Sequence, residues 1–338
     1  MISHPQLPGV RIAGSAIGVP ETVLDNNELE RLMDTSNEWI IQRTGIRERH
    51  VADLQNGETV IELAKRAGAA AIEDAGIQPS DVDMVIMATM CMESTCPPSA
   101  CRVAAELGCE TPGAFDLSGA CCGFVFGLNT AAGVLRTGGA RNVLLIGADT
   151  LTQFMRYDTR GRGTAILFGD GAGAMVLSAD EDPKVGLIAQ AMHSDGRQWA
   201  DLFIPSEKPN SWPDTVTKDE RYNDQVIMNG RAVFKFAVST FTKVIEQTLE
   251  RAGLQSSDVD QFVCHQSNAR ILEAARERFG LEPERLHVNI DRYGNTVAAS
   301  VPLVYQDLVD SGRIERGQRV MFVAFGGGLT WGTSLWQF

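Results

Sequence analysis

The chain has 338 residues, 44% of them hydrophobic and 22% charged, which allows one large domain or two ordinary ones around a substantial core. A formal net charge of −13 argues against a nucleic-acid partner and would repel an acidic protein unless the basic residues cluster on one face. No apolar run reaches the ~18 residues of a membrane helix, no basic-then-apolar leader is visible, and seven cysteines without disulfide-like spacing suit a reducing cytoplasm.

In chain order, the first pattern that carries chemistry is Asn37-Glu-Trp-Ile-Ile-Gln-Arg43, with Trp39 and Arg43 four apart on one helical face. An aromatic plate beside a guanidinium would stack an adenine and pair its phosphates. A tryptophan covering the core beside a solvated arginine, the commoner arrangement, satisfies the same pattern. A helical pattern over residues 62–74 leads through Ala75-Gly-Ile-Gln-Pro-Ser-Asp-Val-Asp83 to the strand-like run Met84-Val-Ile-Met-Ala88. Cys91, Cys96, Cys101 and Cys109 follow without a CxxC pair or a nearby histidine, so no zinc site is expected.

The run Asp116-Leu-Ser-Gly-Ala-Cys-Cys-Gly-Phe124 holds the most informative residue, Cys121. It sits where a short apolar stretch gives way to a small-residue segment, 123–135, that reads as a buried helix. At such an elbow a thiol faces the unpaired N–H groups and the dipole of the helix N-terminus, which favour the thiolate. Two readings stay open: a nucleophile, or the small buried hydrophobe that most free cysteines are. Cys122 is the less promising neighbour, about 100° away around a helix.

A second half echoes the first. Ala252-Gly-Leu-Gln-Ser-Ser-Asp-Val-Asp260 repeats the 75–83 segment after a helical pattern over 234–251, at an offset of 177 residues. Arg319-Val-Met-Phe-Val-Ala324 parallels Asn142-Val-Leu-Leu-Ile-Gly147 at the same offset. Repeated helix-turn-strand order predicts duplicated α/β halves, with a boundary near residue 180, hence 1–180 and 181–338. The polar stretch from Pro205 to Asp224 reads as a surface loop.

In this register His265, in Cys-His-Gln-Ser-Asn268, falls opposite Ala88 just past the equivalent strand. Asn295, in Tyr-Gly-Asn-Thr296, falls opposite the Cys121 region once a few residues of gap are allowed. A pseudo-twofold axis would bring a thiol and two hydrogen-bond donors together. Taken alone, His265 reads as a satisfied core residue as readily as a catalyst, and Asn295 as a turn residue. Phe325-Gly-Gly-Gly-Leu329 ends the last core strand, where backbone can approach a ligand and a free N–H can join that of Cys121 in an oxyanion hole.

With these stretches in hand, the chain resembles the β-ketoacyl-acyl carrier protein synthase III family of thiolase-fold condensing enzymes. The likeness runs nearly end to end, through the segments 35–50, Phe168-Gly-Asp-Gly-Ala-Gly173, Asp291-Arg-Tyr-Gly-Asn-Thr-Val-Ala-Ala-Ser-Val-Pro302 and Ala324-Phe-Gly-Gly-Gly-Leu-Thr-Trp-Gly332. It implies an α/β, thiolase-like fold of two duplicated halves in five layers, α-β-α-β-α. It further implies a cytoplasmic homodimer that works on acyl-CoA and acyl carrier protein without a resident cofactor or metal.

The resemblance also implies roles. Cys121 would take the acyl group from acyl-CoA, with acetyl-CoA the expected starter, while the N–H groups of Cys121 and Gly327 hold the thioester oxygen. His265 and Asn295 would donate to the enolate formed when malonyl carrier protein loses CO2. Trp39 and Arg162 would sandwich the adenine, Arg43 would meet the phosphates, Met228, Gly230 and Asn268 would line the pantetheine tunnel, and Phe325 would pack beside the thiol. Lys235, Arg270 and Arg231 would offer the carrier protein a basic rim.

Three features depart from the family pattern. The segment from Thr152 to Arg162 is about two residues long for it, Cys122 replaces a small residue, and Cys96-Pro97-Pro98 stands where a bulky aromatic is usual. A thiolase would carry a cysteine where Phe325 stands, and an elongating synthase a second histidine where Asn295 stands. The remaining rival within the chemistry is a specialised acyltransferase or condensing enzyme of secondary metabolism with the same triad; from another class, it is a scaffold without catalysis.

Overall fold

The structure, a computed structural model, describes residues 7–205 and 225–338. The loop expected from Pro205 to Asp224 therefore lies, but for its first residue, outside the described residues.

Two sheets organise the chain. The first has five strands in the order Gly9–Gly18, Gly171–Asp180, Asn142–Asp149, Met84–Ala88 and Gly113–Leu117. Its last three strands run parallel and the first two pair antiparallel. The second sheet orders four strands as Gly186–Ser194, Thr330–Gln337, Arg319–Gly326 and Gln261–Cys264, with the same pattern of directions. Its fifth position is reduced to an isolated parallel bridge between Phe262 and Leu286.

The offset of 177 maps the starts of three strands onto one another, Gly9 onto Gly186, Met84 onto Gln261 and Asn142 onto Arg319. The repeated nonapeptide has a physical reason in each copy. Gln78 with Asp81, and Gln255 with Asp258, form capping boxes around a short 3₁₀ turn. The following aspartate ties that turn to the next core strand: Asp83 Oδ2 accepts from the N–H groups of Arg141 and Asn142, and Asp260 Oδ2 accepts from that of Arg319.

The core strands are buried on both faces and alternate between two cores, as a period of two requires. Val143 and Leu145 face a central layer with Val320 and Phe322, whereas Leu144 and Ile146 face outward under one helical layer and Met321 and Val323 under the other. The central layer holds the helices Gly123–Arg136 and Ser300–Asp310. The outer layers hold Val60–Asp74 with Ser99–Leu107, and Gly230–Ala252 with Ala269–Phe279. The result is the expected five-layered α-β-α-β-α thiolase-like fold.

Phe124, fully buried at the start of the central helix, touches this middle core. Phe124→Ala should cost roughly 3–5 kcal/mol in equilibrium denaturant unfolding, and a loss below about 1 kcal/mol would contradict this packing.

Candidate active site

The nucleophile candidate stands at a sharp bend. The strand Gly113–Leu117 gives way to a 3₁₀ turn, Ala120–Cys122, and then to the helix Gly123–Arg136. Ala120 takes a positive φ of 47°, a left-handed conformation that a residue with a Cβ adopts at a cost. The second half repeats the device 177 residues on: the 3₁₀ turn Val297–Ala299 opens with Val297 at φ 53°. No gap is needed, so the residue opposite Cys121 is Ala298, and Asn295 lies three residues before it.

The opposing half closes over each elbow. A Cβ on Gly326 would lie 2.8 Å from the nitrogen of Cys121 and 2.9 Å from its Cβ, so only glycine lets that strand end approach the thiol. Cys121 is left 6% exposed.

Burial dominates the electrostatics. The Cys121 thiol is pushed up to about 12, first by desolvation and then by the Asp149 carboxylate, against the N–H groups of Cys121 and Gly327. This corrects the expectation of a thiol lowered by its elbow: loss of water around the sulfur outweighs the two donors aimed at it. Cys122 is fully buried in the central core and its thiol is pushed up as well, chiefly by desolvation.

His265 follows the strand Gln261–Cys264 and donates its N–H to the Val323 carbonyl at 2.8 Å. Burial lowers its ring to about 3, so the imidazole is neutral at physiological pH. Its ring meets Phe325 edge-on, with centroids 5.6 Å apart, and Nδ1 has no hydrogen-bond partner among the described residues. Asn295 is held at three points: its N–H donates to Leu167 O at 2.8 Å, its carbonyl accepts from Gly169 N–H at 3.0 Å, and Oδ1 accepts from Val297 N–H at 3.0 Å. The amide nitrogen remains as its donor toward the cavity it lines.

One cavity of about 470 Å³ gathers Cys121, His265, Asn295 and Phe325 at its buried end. Met228, Gly230 and Asn268 line its wall, and Trp39 lies toward the exposed end with Arg43, Arg231 and Arg270. A second cavity of about 350 Å³ also reaches Cys121, walled by Met90, Leu151, Leu202, Phe203 and Val226. Gly327 lines this second space, not the first. Its walls come from well-separated segments, which left no local pattern to read. Cys96 and Pro97 line neither cavity.

Arg43 lies 5.5 Å and Arg162 4.8 Å from the Trp39 ring centroid, so both guanidiniums reach the indole. The additional length before Arg162 does not carry it away; its guanidinium also donates to the Asp34 carbonyl. Asn268 is more committed than expected, because Nδ2 donates to Arg43 O at 3.0 Å and Oδ1 caps its helix by accepting from Arg270 N–H at 2.9 Å. It thereby ties the Trp39 helix to the second half. Lys235 is exposed one helical turn from Arg231 and lines neither cavity, while Arg270 lies 5.3 Å from the Phe234 ring centroid.

Two residues bear on the site in ways the sequence did not indicate. Gln266 accepts from the N–H groups of Asn289 and Ile290 and donates to Cys264 O and His287 O, pinning the His265 strand to the segment that leads to Asn295. Asp149 is a fully buried carboxylate, raised by desolvation to about 7, at the end of the run Val-Leu-Leu-Ile-Gly-Ala-Asp. A charge closing an apolar strand was the available signal. Among the described residues no group of three or more His, Cys, Asp or Glu could hold a metal ion, and no helix is long and apolar enough to cross a membrane.

Comparison with known proteins agrees with this geometry. A family model described as 3-oxoacyl-[acyl-carrier-protein] synthase III matches residues 115–196, and its C-terminal counterpart matches residues 249–338. The chain is 43% identical over 330 residues to a β-ketoacyl-[acyl-carrier-protein] synthase III of Brucella suis, covering 96% of this chain and 98% of the relative. It is 41% identical over 328 residues to the synthase of the same name from Xanthomonas campestris, covering 97% of this chain and 98% of that one. The solved synthase III of Thermus thermophilus superposes with a TM-score of 0.90 at 38% identity, over 97% of this chain and 98% of that one. With near-complete coverage at this identity, and with Cys121, His265 and Asn295 inside the matched segments, the chain belongs to the β-ketoacyl-acyl carrier protein synthase III family.

Proposed function

We propose that this protein condenses an acyl-CoA starter with malonyl-acyl carrier protein, releasing CoA and CO2 and giving the 3-ketoacyl-acyl carrier protein that begins fatty acid synthesis. The observation that carries this reading is the convergence of Cys121, His265 and Asn295 on one buried cavity end, with two backbone N–H groups aimed at the sulfur.

In the first half-reaction the Cys121 sulfur attacks the thioester carbonyl. The carbonyl oxygen takes up negative charge between the N–H groups of Cys121 and Gly327. The CoA sulfur then leaves and takes a proton in exchange for the one lost by Cys121. A thioester is neutral, so the burial that disfavours the thiolate leaves the acyl-enzyme unpenalised. Trp39, Arg43 and Arg162 receive the CoA adenine and phosphates, Met228, Gly230 and Asn268 flank the pantetheine arm, and the second cavity receives the acyl chain.

In the second half-reaction the bond from malonyl carbon to its carboxylate breaks, CO2 leaves, and the electron pair moves into an enolate. Neutral His265 and the Asn295 amide donate to that oxygen. No strong base is required, because decarboxylation makes the carbanion without proton abstraction. The carbanion attacks the acyl-cysteine carbonyl and expels the Cys121 sulfur as a thiolate, which takes up one proton from solvent to restore the thiol. Neither step calls for a cofactor. Arg231, Lys235 and Arg270 offer the acidic carrier protein a basic rim despite the net charge of −13.

We place the reaction in the cytoplasm, in a homodimer of chains that each divide near residue 180. The edge strand Gly113–Leu117, paired on one side only among the described residues, supports a second copy adding there.

Cys121→Ala should abolish covalent labelling by acyl-CoA, read as intact mass; undiminished labelling would remove the nucleophile assignment. Running acyl-CoAs of increasing length against the unaltered chain also identifies the starter, and a cavity of about 350 Å³ should admit chains longer than acetyl. Asn295→Ala should acylate normally yet condense about 10²-fold more slowly, the typical cost of one lost oxyanion donor, and unimpaired condensation would refute the enolate role. Lys235→Glu, at an exposed position outside both cavities, should raise KM for malonyl carrier protein severalfold and weaken its salt dependence while leaving acylation by acyl-CoA intact; an unchanged KM would remove Lys235 from the docking rim.

A further inference from the structure

We infer that Asp149 is a positioning residue, a buried carboxylate that bridges the two halves and holds the Asn295 turn in the orientation condensation needs. The inference rests on the enolate role proposed for Asn295.

Asp149 ends the strand Asn142–Asp149 and is fully buried. Oδ1 accepts from Met90 N–H at 2.7 Å and from the Thr89 hydroxyl at 3.3 Å, both at the end of the neighbouring strand. Oδ2 accepts from Ala298 N–H at 3.1 Å, in the other half of the molecule. Thr89 Oγ1 in turn accepts from Cys91 N–H at 3.0 Å, and the Cys91 thiol also bonds the carboxylate.

The repeat explains what the carboxylate does there. Ala298 occupies the station of Cys121 in the second half, so its N–H is the counterpart of the donor aimed at the Cys121 sulfur. At the first elbow that N–H is free for a transient oxyanion; at the second the Asp149 side chain takes it. The strand ends show the same exchange, since Asp149 corresponds to Gly326 across the offset of 177. Glycine stands where a nucleophile must fit, and aspartate where there is none.

The second elbow needs such a hold. Val297, β-branched, sits at φ 53°, a conformation that persists only where surrounding contacts over-determine it. Its N–H is taken by Asn295 Oδ1, and the next N–H, that of Ala298, is taken by Asp149. Losing the Asp149 end frees the turn that orients the Asn295 amide. An amide at this position keeps one accepting oxygen, and its NH2 would face either Met90 N–H or Ala298 N–H, donor against donor.

The titratable groups facing the carboxylate and the thiol are Cys91 and Cys121, with Asp170 beyond Cys91. The Asp149 charge disfavours the Cys121 thiolate, so its removal has a second signature.

The test separates the half-reactions in the full chain carrying Asp149→Asn. Acylation by acyl-CoA, read as intact mass, should stay within about threefold of the unaltered chain, while condensation with malonyl carrier protein falls by about 30-fold or more. The pH midpoint of Cys121 alkylation by iodoacetamide should move down. Equal loss in both half-reactions, or condensation retained, would overturn the inference. If thermal unfolding shows that Asp149→Asn does not fold, Asp149→Ser, smaller and able to accept one N–H, is judged by the same ratio. Absence of condensation in the unaltered chain would instead overturn the proposed function.

Discussion

Each half of this molecule drives the end of a core strand against the elbow of the other, and the site depends on that contact. Gly326 closes on Cys121, and Gly147 closes on Ala298, where an added Cβ would lie 2.5 Å from the carbonyl oxygen. Both elbows hold a residue with a Cβ in the left-handed region, Ala120 in one and Val297 in the other. Neither conformation is favoured by the local chain. It is the packing of the opposing half that over-determines them, so the thiol and the Asn295 amide take their geometry from contact across the pseudo-twofold and not from their sequence neighbours.

Burial then sets the chemistry. The same loss of water raises the Cys121 thiol, lowers the His265 ring and raises the Asp149 carboxyl. All three shifts favour the neutral form. A dry site of neutral donors suits a reaction whose charge appears briefly on carbonyl oxygens, because each donor acts more strongly there than in water and needs no reorganisation. At the exposed end of the cavity the chemistry reverses. Arg43 and Arg162 share the Trp39 indole, and Arg231 and Arg270 stand at the rim, where polar and anionic groups of a long substrate would lie. Local charge, not the net charge of −13, decides what that entrance can receive.

The fold was legible because its repeat is written in residues with separate local jobs. The Gln and Asp of the nonapeptide cap a turn, and its last aspartate ties that turn to the following strand, so both copies kept their spacing. The placement of Trp39 beside Arg43 was legible for the same reason, since it follows from helical periodicity. The thiol's electrostatics were not. An elbow predicts donors, and the donors are present, but how much water the fold removes from the sulfur depends on a strand end about two hundred residues away. The contacts of Asp149 and Gln266 are not local, since Ala298 lies 149 residues from the one, and Asn289 and Ile290 lie 23 and 24 residues from the other.

By itself the sequence determined the periodicities, the caps, the repeat and the identity of the reactive groups, all of which are properties of short stretches of chain. Only the tertiary structure decided how dry the thiol is, that a second cavity reaches it, and that the Asp149 side chain fills the idle elbow. Those properties arise where the two halves meet, and desolvation and close backbone approach are sums over atoms from many segments that no local pattern encodes.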